Sequence, residues 1–277
     1  GEGRRLAVEA DGFDRSIFQL NPDVAVVTSA DADHLDIYGT HEAVKEAFSQ
    51  FIDRIKAGGA LVIKQGVDVK VRNSQIECYR YSFNEPTDFY ATNLQLLATG
   101  HYTFDIVTPF GTIEGCTLGI PGWVNVENAV AAMSVAYLMG VGDDELRNAV
   151  ATFTGVHRRF NIHLNTPQLT YVDDYAHHPM ELEACIKSVR RLCPDRYVIG
   201  VFQPHLFTRT RDFAPEFAAV LSTLDEVVLL PIYPAREQPI SGVTSDWLMS
   251  KITATSGVKR TAKVEKADLS NYVAERV

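Results

Sequence analysis

Short apolar runs, each followed by polar residues and then by a helix-like stretch, recur along this sequence and restrict it to α/β architectures. Residues 6–10, 24–28 and 60–63 read as strands, and residues 40–57 as the helix between the second and third. That helix is marked at both ends. Thr40 can cap its start, Val44, Ala47, Phe48, Phe51, Ile52 and Ile55 recur at helical spacing, and Gly58-Gly59 ends it. From residue 75 to 118 the chain becomes rich in Tyr, Phe, Thr and Val, with breaks at Asn84-Glu85-Pro86, Thr99-Gly100 and Pro109-Phe110-Gly111. This predicts an antiparallel insertion or sheet edge.

An Ala-rich helix is expected over residues 125–139, ending at Gly140, and Asp143 is placed to cap a second one running to about Phe153. A short link, residues 154–157, leads to strands near 169–173, 197–202 and 226–230, each with a helical stretch after it. That is a doubly wound pattern. Residues 269–277 again look helical, and the domains are expected at 1–156 and 157–277.

The charge balance narrows the partners. With a formal net charge of −9, the chain is poorly suited to nucleic acid held through its phosphates, and small molecules fit better. No apolar run reaches the roughly 18 to 20 residues that span a bilayer, so no membrane partner is expected. Cys78, Cys116, Cys185 and Cys193 form no C-x-x-C pair, which suits a reduced, cytoplasmic setting. Oligomeric state is not written in the sequence.

The polar clusters sit where open α/β sheets place ligands, after the carboxyl ends of strands. Glu9, Asp11 and Asp14 could offer hard oxygen ligands to Mg²⁺ or form a solvated acidic turn. Asp33-His34-Leu35-Asp36 follows the next strand, and His34 could serve a cation, a phosphoryl group or a helix cap. Asn125 and Asn128 lie three residues apart on one helical face, as amides reading an adenine edge would; Asn125 could equally be an N-cap. Arg158-Arg159-Phe160 follows the interdomain link, where a guanidinium can reach a phosphate. Asp173-Asp174-Tyr175-Ala176-His177-His178-Pro179 and Gln203-Pro204-His205-Leu206-Phe207-Thr208-Arg209-Thr210-Arg211-Asp212 each follow a strand. Caps and surface ion pairs explain part of these; Arg209 and Arg211 could also grip a carboxylate in bidentate fashion.

Taken in order, these six motifs resemble the Mur ligase family, and most closely its alanine-adding members, over most of the chain. The resemblance implies a central ATPase-type domain with a mixed sheet, truncated on its N-terminal side, followed by a Rossmann-like C-terminal domain that binds the amino acid. It implies ATP-dependent amide-bond formation in cytoplasmic peptidoglycan precursor synthesis, with UDP-N-acetylmuramate, L-alanine and ATP as substrates and ADP as a product. Carried onto this chain, Glu9 and His34 would serve metal, and Asn125, Asn128, Arg159 and Asp174 the nucleotide. Tyr175, His177, His205 and Arg209 would hold the amino acid, with His34, His177 and His205 as catalytic candidates.

The sequence departs from the family pattern in having no phosphate loop of the form G-x-x-G-K-[ST]-[ST]. The amino-terminal UDP-binding domain and the last strand of the C-terminal domain are also missing from it, so a fragment, inactive by itself, is expected. Val124, Ser29 and Leu206 stand where many relatives carry His, Asn and Arg. A non-catalytic nucleotide- or substrate-binding fragment, or another Mur-type amino-acid ligase, are the alternatives. A dinucleotide oxidoreductase is opposed by the lack of G-x-G-x-x-G after any strand.

Overall fold

A computed structural model describes residues 6–9, 16–31, 38, 40–255 and 257–276, and the chain divides into two compact units, Gly1–Phe153 and Thr154–Val277. The first unit is built on one six-stranded sheet in sequence order: β1 (Val24–Val27), β2 (Ala60–Lys64), β3 (Glu77–Ser82), β4 (Phe89–Leu96), β5 (Tyr102–Thr108) and β6 (Gly111–Thr117). β1, β2 and β3 run parallel, while β4, β5 and β6 are antiparallel neighbours. β3 meets β4 through only two parallel pairs, Tyr81 with Phe89 and Ser82 with Tyr90.

Alternation along β2 explains why the sheet is covered on both faces. Leu61 and Ile63 point to one side, where they pack with Phe51 and Ile52 of α1 (His41–Ile52). Val62 points to the other, into a core shared with Tyr81, Phe89 and Phe104 and with Val126, Val130 and Met133 of α2 (Trp123–Leu138). Thr40 caps α1, its Oγ1 accepting the Ala43 N–H at 3.2 Å. Gly140, at φ +82°, follows the last turn of α2 and supplies the left-handed residue that ends it. α3 (Asp143–Thr152) is capped at Gly142 rather than Asp143, with the Glu145 carboxylate accepting the Gly142 N–H at 3.3 Å.

Several local expectations are corrected. Residues 6–9 are exposed and belong to no strand, although their apolar alternation suggests one. α1 ends at Ile52, well short of residue 57: the Arg54 and Ile55 N–H groups tighten into turn bonds to Phe51 O at 3.0 Å and Ile52 O at 3.1 Å, Lys56 N–H donates to Pro22 O at 3.1 Å, and the Arg54 side chain donates through Nε to Leu20 O at 3.0 Å. Ile55 still reaches the core from this turn. The region from residue 75 starts with the parallel strand β3, so only β4 to β6 match the antiparallel reading.

The second unit contains a parallel three-stranded sheet in the order β11 (Arg260–Lys263), β10 (Glu226–Leu229), β9 (Ile199–Phe202). Around it lie α4 (Pro179–Leu192), α6 (Ala214–Leu221) and α7 (Ser245–Ala254), whose buried faces meet Phe202, Val227 and Leu229 in one core. The strand at Thr170–Asp173, β8, is not part of that ladder as expected; it pairs antiparallel with β7 (Asn161–Asn165) in a separate hairpin. The last helix, α8 (Leu269–Ala274), is tied down by Glu226, which accepts hydrogen bonds from Tyr272 Oη at 2.7 Å and Arg276 Nε at 2.9 Å. No helix among the described residues is long and apolar enough to cross a membrane.

Gly119 marks a tight joint of the first unit. It follows β6 and donates its N–H to Val150 O at 3.0 Å, and a Cβ there would lie 2.4 Å from Phe153 O and 2.5 Å from Ala151 O. Both are backbone atoms that cannot swing aside. Gly119→Ala should therefore destabilise the first unit by about 1–3 kcal/mol, the usual cost of overpacking. Denaturant unfolding followed by the fluorescence of Trp123, which packs in this core, would detect it; an unchanged midpoint would contradict the packing described.

Candidate functional site

The second unit gathers its chemistry in the loops that leave the carboxyl ends of β8, β9 and β10. After β9 the chain runs Gln203-Pro204-His205-Leu206 and enters the short helix α5 (Phe207–Asp212). Leu206 takes φ +69°, a left-handed conformation costly for a branched side chain, and it is buried. This sharp entry brings His205 and Arg209 to one side. Arg209 Nη1 lies 3.3 Å from His205 Nδ1, and the guanidinium side chain is only 7% exposed.

That contact fixes the tautomer of His205. A guanidinium only donates, so Nδ1 accepts and the ring proton resides on Nε2. Burial, followed by the nearby charge of Arg209, pushes the His205 pKa below the ordinary imidazole value. The neutral ring is thus favoured at neutral pH. The sign for stability follows: the unfolded chain binds the proton more readily, so this residue's contribution is lost as pH falls from the ordinary imidazole range through the lowered folded value.

Two further rings frame His205. His177, from the loop after β8, lies with its ring centroid 6.3 Å away, and Tyr233, from the loop after β10, stacks on it at 5.5 Å. Tyr175 meets the His177 edge at 5.3 Å and carries the Arg158 guanidinium over its own face at 4.8 Å. Of the residues singled out in the sequence, the structure therefore brings together Tyr175, His177, His205 and Arg209.

Other predicted residues hold the loop backbones. Asp174 accepts the Phe160 N–H and the Ala176 N–H, each at 2.7 Å, one on each carboxylate oxygen. Its pKa is nonetheless raised, because burial outweighs both hydrogen bonds. Glu181, at the start of α4, accepts the backbone N–H groups of His177 at 2.9 Å and His178 at 3.2 Å. Arg159 is exposed and lies 3.6 Å from the other oxygen of Glu181. His177 donates Nδ1–H to the Tyr175 carbonyl at 3.0 Å.

The first unit disposes its candidates differently. Asn125 is buried, and its Nδ2 donates to Pro121 O at 2.7 Å, whereas Asn128 is exposed. The two amides do not form a matched pair, and the N-cap of α2 is Gly122 rather than Asn125. Between them Glu127 pairs with Lys64, the last residue of β2, at 2.8 Å. Glu9 is exposed, and His34 lies outside the described residues, as do Asp11, Asp14, Asp33 and Asp36. Among the described residues no three His, Cys, Asp or Glu side chains group together as a metal site. An open cavity of about 280 Å³ lies instead at the amino ends of β1 to β3, lined by Asp23, Lys56, Gly58, Gly59 and Glu77.

The sequence reading passed over Tyr233, Arg236, Glu237 and the Lys64–Glu127 pair. The first three obey the rule that found the others, since they follow β10 at its carboxyl end, but Pro231 and Pro234 make that stretch look like a plain turn. NMR titration of the imidazoles should place His205 below the usual midpoint of about 6.5, and Arg209→Ala should move it back upward without restoring it fully, because burial remains the larger cause. A midpoint at or above the free value would contradict the buried, cation-flanked setting described for this ring.

Comparison with known proteins gives a consistent picture. The Mur ligase middle domain matches residues 7–136, and the Mur ligase, glutamate ligase domain matches residues 158–275. The UDP-N-acetylmuramate–L-alanine ligase of Parabacteroides distasonis is 52% identical over 250 residues, 90% of this chain and 54% of that protein. The chain thus spans about half the length of the curated relatives it matches. Among solved structures, the UDP-N-acetylmuramate–alanine ligase MurC of Thermotoga maritima is similar with a TM-score of 0.72 at 21% identity, covering 93% of this chain and 54% of that one. MurF of the same organism, solved in complex with ADP, gives a TM-score of 0.61 at 20% identity over 92% of this chain and 61% of that one. At such identities these two establish a shared fold.

Proposed function

The chain belongs to the Mur ligase family, and on that premise we propose that it forms part of an ATP-dependent ligase joining L-alanine to the carboxylate of UDP-N-acetylmuramate. The first unit is read as the central ATP-binding domain and the second as the amino-acid-binding domain. The observation that carries the reading is the buried Arg209 guanidinium beside a neutral His205, within reach of the His177 and Tyr233 rings.

A free carboxylate resists attack by an amine, so it must first acquire a leaving group. ATP supplies it: the carboxylate oxygen attacks the terminal phosphorus, ADP departs, and an acyl phosphate remains. The α-amine of L-alanine then attacks the acyl carbon, inorganic phosphate leaves with the C–O bond, and the nitrogen loses a proton. This chain's own residues serve the second half. Arg209 offers the planar donor fork that matches an α-carboxylate, and holding that end orients the amine. His205, whose pKa is lowered, or His177 accepts the proton as the C–N bond forms. Tyr175 and Tyr233 wall the space around the amino-acid side chain.

Nucleotide binding is assigned to Asn125, Asn128, Arg159 and Asp174, and cation binding to Glu9 and His34. A Mg²⁺ held there would supply charge compensation at the phosphates. The ADP held by the related MurF supports a nucleotide-dependent reaction for the family.

The test is phosphate release by the complete protein supplied with ATP, UDP-N-acetylmuramate and a panel of amino acids. Release that depends on L-alanine is the expected result, and release with another amino acid alone would reassign the substrate. Arg209→Ala should raise the L-alanine KM about 30-fold or more, as losing a charge-assisted bidentate contact of roughly 2 kcal/mol or more requires, with the KM for ATP nearly unchanged. Equal losses in both would count against the clamp.

A further inference from the structure

The helix that carries Arg209 is too short to hold itself. α5 has six residues, its N-cap is Leu206, and no side chain at that position caps it. A hydrogen-bonded turn this short is unstable in isolation, since nucleation is costly and each end leaves backbone groups unsatisfied. The missing acceptor comes from 29 residues further along the chain. Glu237, in the loop after β10, accepts the Thr208 N–H at 3.0 Å on one oxygen and the Thr208 hydroxyl on the other.

That carboxylate completes a wider join between the two loops. Leu206 N–H donates to Tyr233 O at 2.9 Å, and Tyr233 N–H donates to Pro204 O at 2.8 Å, which makes the isolated parallel bridge between His205 and Tyr233. Gln203 Nε2 donates to Pro231 O at 3.1 Å. The loop then turns back sharply: Ala235 sits at φ +50° and Glu237 N–H donates to Pro234 O at 2.9 Å. The turn delivers the Glu237 carboxylate to the first turn of α5. Backbone contacts thus fix His205, and Glu237 is what fixes the helix one residue before Arg209.

We propose that Glu237 is a positioning residue for amino-acid recognition: by capping α5 through Thr208 from the neighbouring loop, it sets the orientation of the Arg209 guanidinium against His205. The inference rests on the reading of Arg209 as the carboxylate clamp. It predicts that the acceptor oxygens matter more than the charge, because the task is to hold two donors in place.

The experiment compares Glu237→Ala, Glu237→Gln, Thr208→Val and Arg209→Ala in the complete ligase, by hydrogen exchange over residues 206–213 and by steady-state kinetics. Glu237→Ala should speed exchange of the Thr208 and Arg209 amides and raise the L-alanine KM, each by about tenfold, the scale of one lost hydrogen bond to a charged group. The ATP KM and kcat should stay within about twofold, a split that general loosening of the fold would not produce. Glu237→Gln keeps one acceptor for the Thr208 N–H, while the Thr208 hydroxyl can turn to accept from the new amide N–H, so it should recover most of the loss; a Gln variant as impaired as Ala would overturn positioning in favour of a purely electrostatic role. Should the Ala variant fail to fold, Thr208→Val, which removes only the hydroxyl donor, should give a change in the same direction of about threefold. An unchanged L-alanine KM in the Glu237 variants, with Arg209→Ala impaired, would sink this inference alone. If Arg209→Ala were equally silent, the clamp reading would fall and the inference with it.

Discussion

A guanidinium held 3.3 Å from an imidazole nitrogen, in a place that water barely reaches, sets the terms for the second unit. Burying a cation is costly unless its surroundings are fixed, and fixing them falls to loops rather than to regular structure. The strands β9 and β10 supply the rigid base, because their ladder runs in register from Ile199 with Glu226 to Phe202 with Leu229. Beyond those last paired residues a single bridge, His205 with Tyr233, continues the backbone pairing, and side chains staple the loops around it.

The staples are carboxylates. Asp174 takes two backbone N–H groups, Glu181 takes two, and Glu237 takes one together with a hydroxyl. Each thereby extends a join just past the end of regular pairing: the Arg158 turn to the loop after β8, that loop to the start of α4, and the loop after β10 to α5. The division of labour has a chemical consequence. In a chain with a formal charge of −9, Asp174, Glu181 and Glu237 are directed to backbone donors, Asp173 and Glu181 lie near Arg158 and Arg159, and Arg209 lies beside His205. An acidic protein can in this way present cations and neutral rings to a small anion.

How much of this was legible in the sequence depends on distance along the chain. Local signals read true: Thr40 caps α1, Gly140 ends α2, and the polar runs after β8 and β9 do come together as Tyr175, His177, His205 and Arg209. Non-local pairings did not. The apolar run ending at Asp173 looks like any buried strand, and nothing in its composition says that its partner is Asn161–Asn165 rather than β9. The helical period through Ile55 is real as a packing signal, yet the Arg54 and Ile55 N–H groups close into tighter turns and the Pro22 carbonyl takes the Lys56 N–H that would have continued α1. In the first unit, the three-residue spacing of Asn125 and Asn128 gave a common face without revealing that Pro121 already holds one of the amides.

The same limit explains why Glu237 escaped notice while Arg209 did not. Arg209 is recognisable by type, since a guanidinium after a strand suggests an anion whatever surrounds it. A staple is recognisable only by what it reaches, and the reach here spans 29 residues and depends on the left-handed turn at Ala235. Residues that touch a ligand announce themselves through chemistry, whereas residues that aim them act through geometry. For this unit the aiming residues are acids, and their value lies in the two acceptor oxygens each can set against two donors at once.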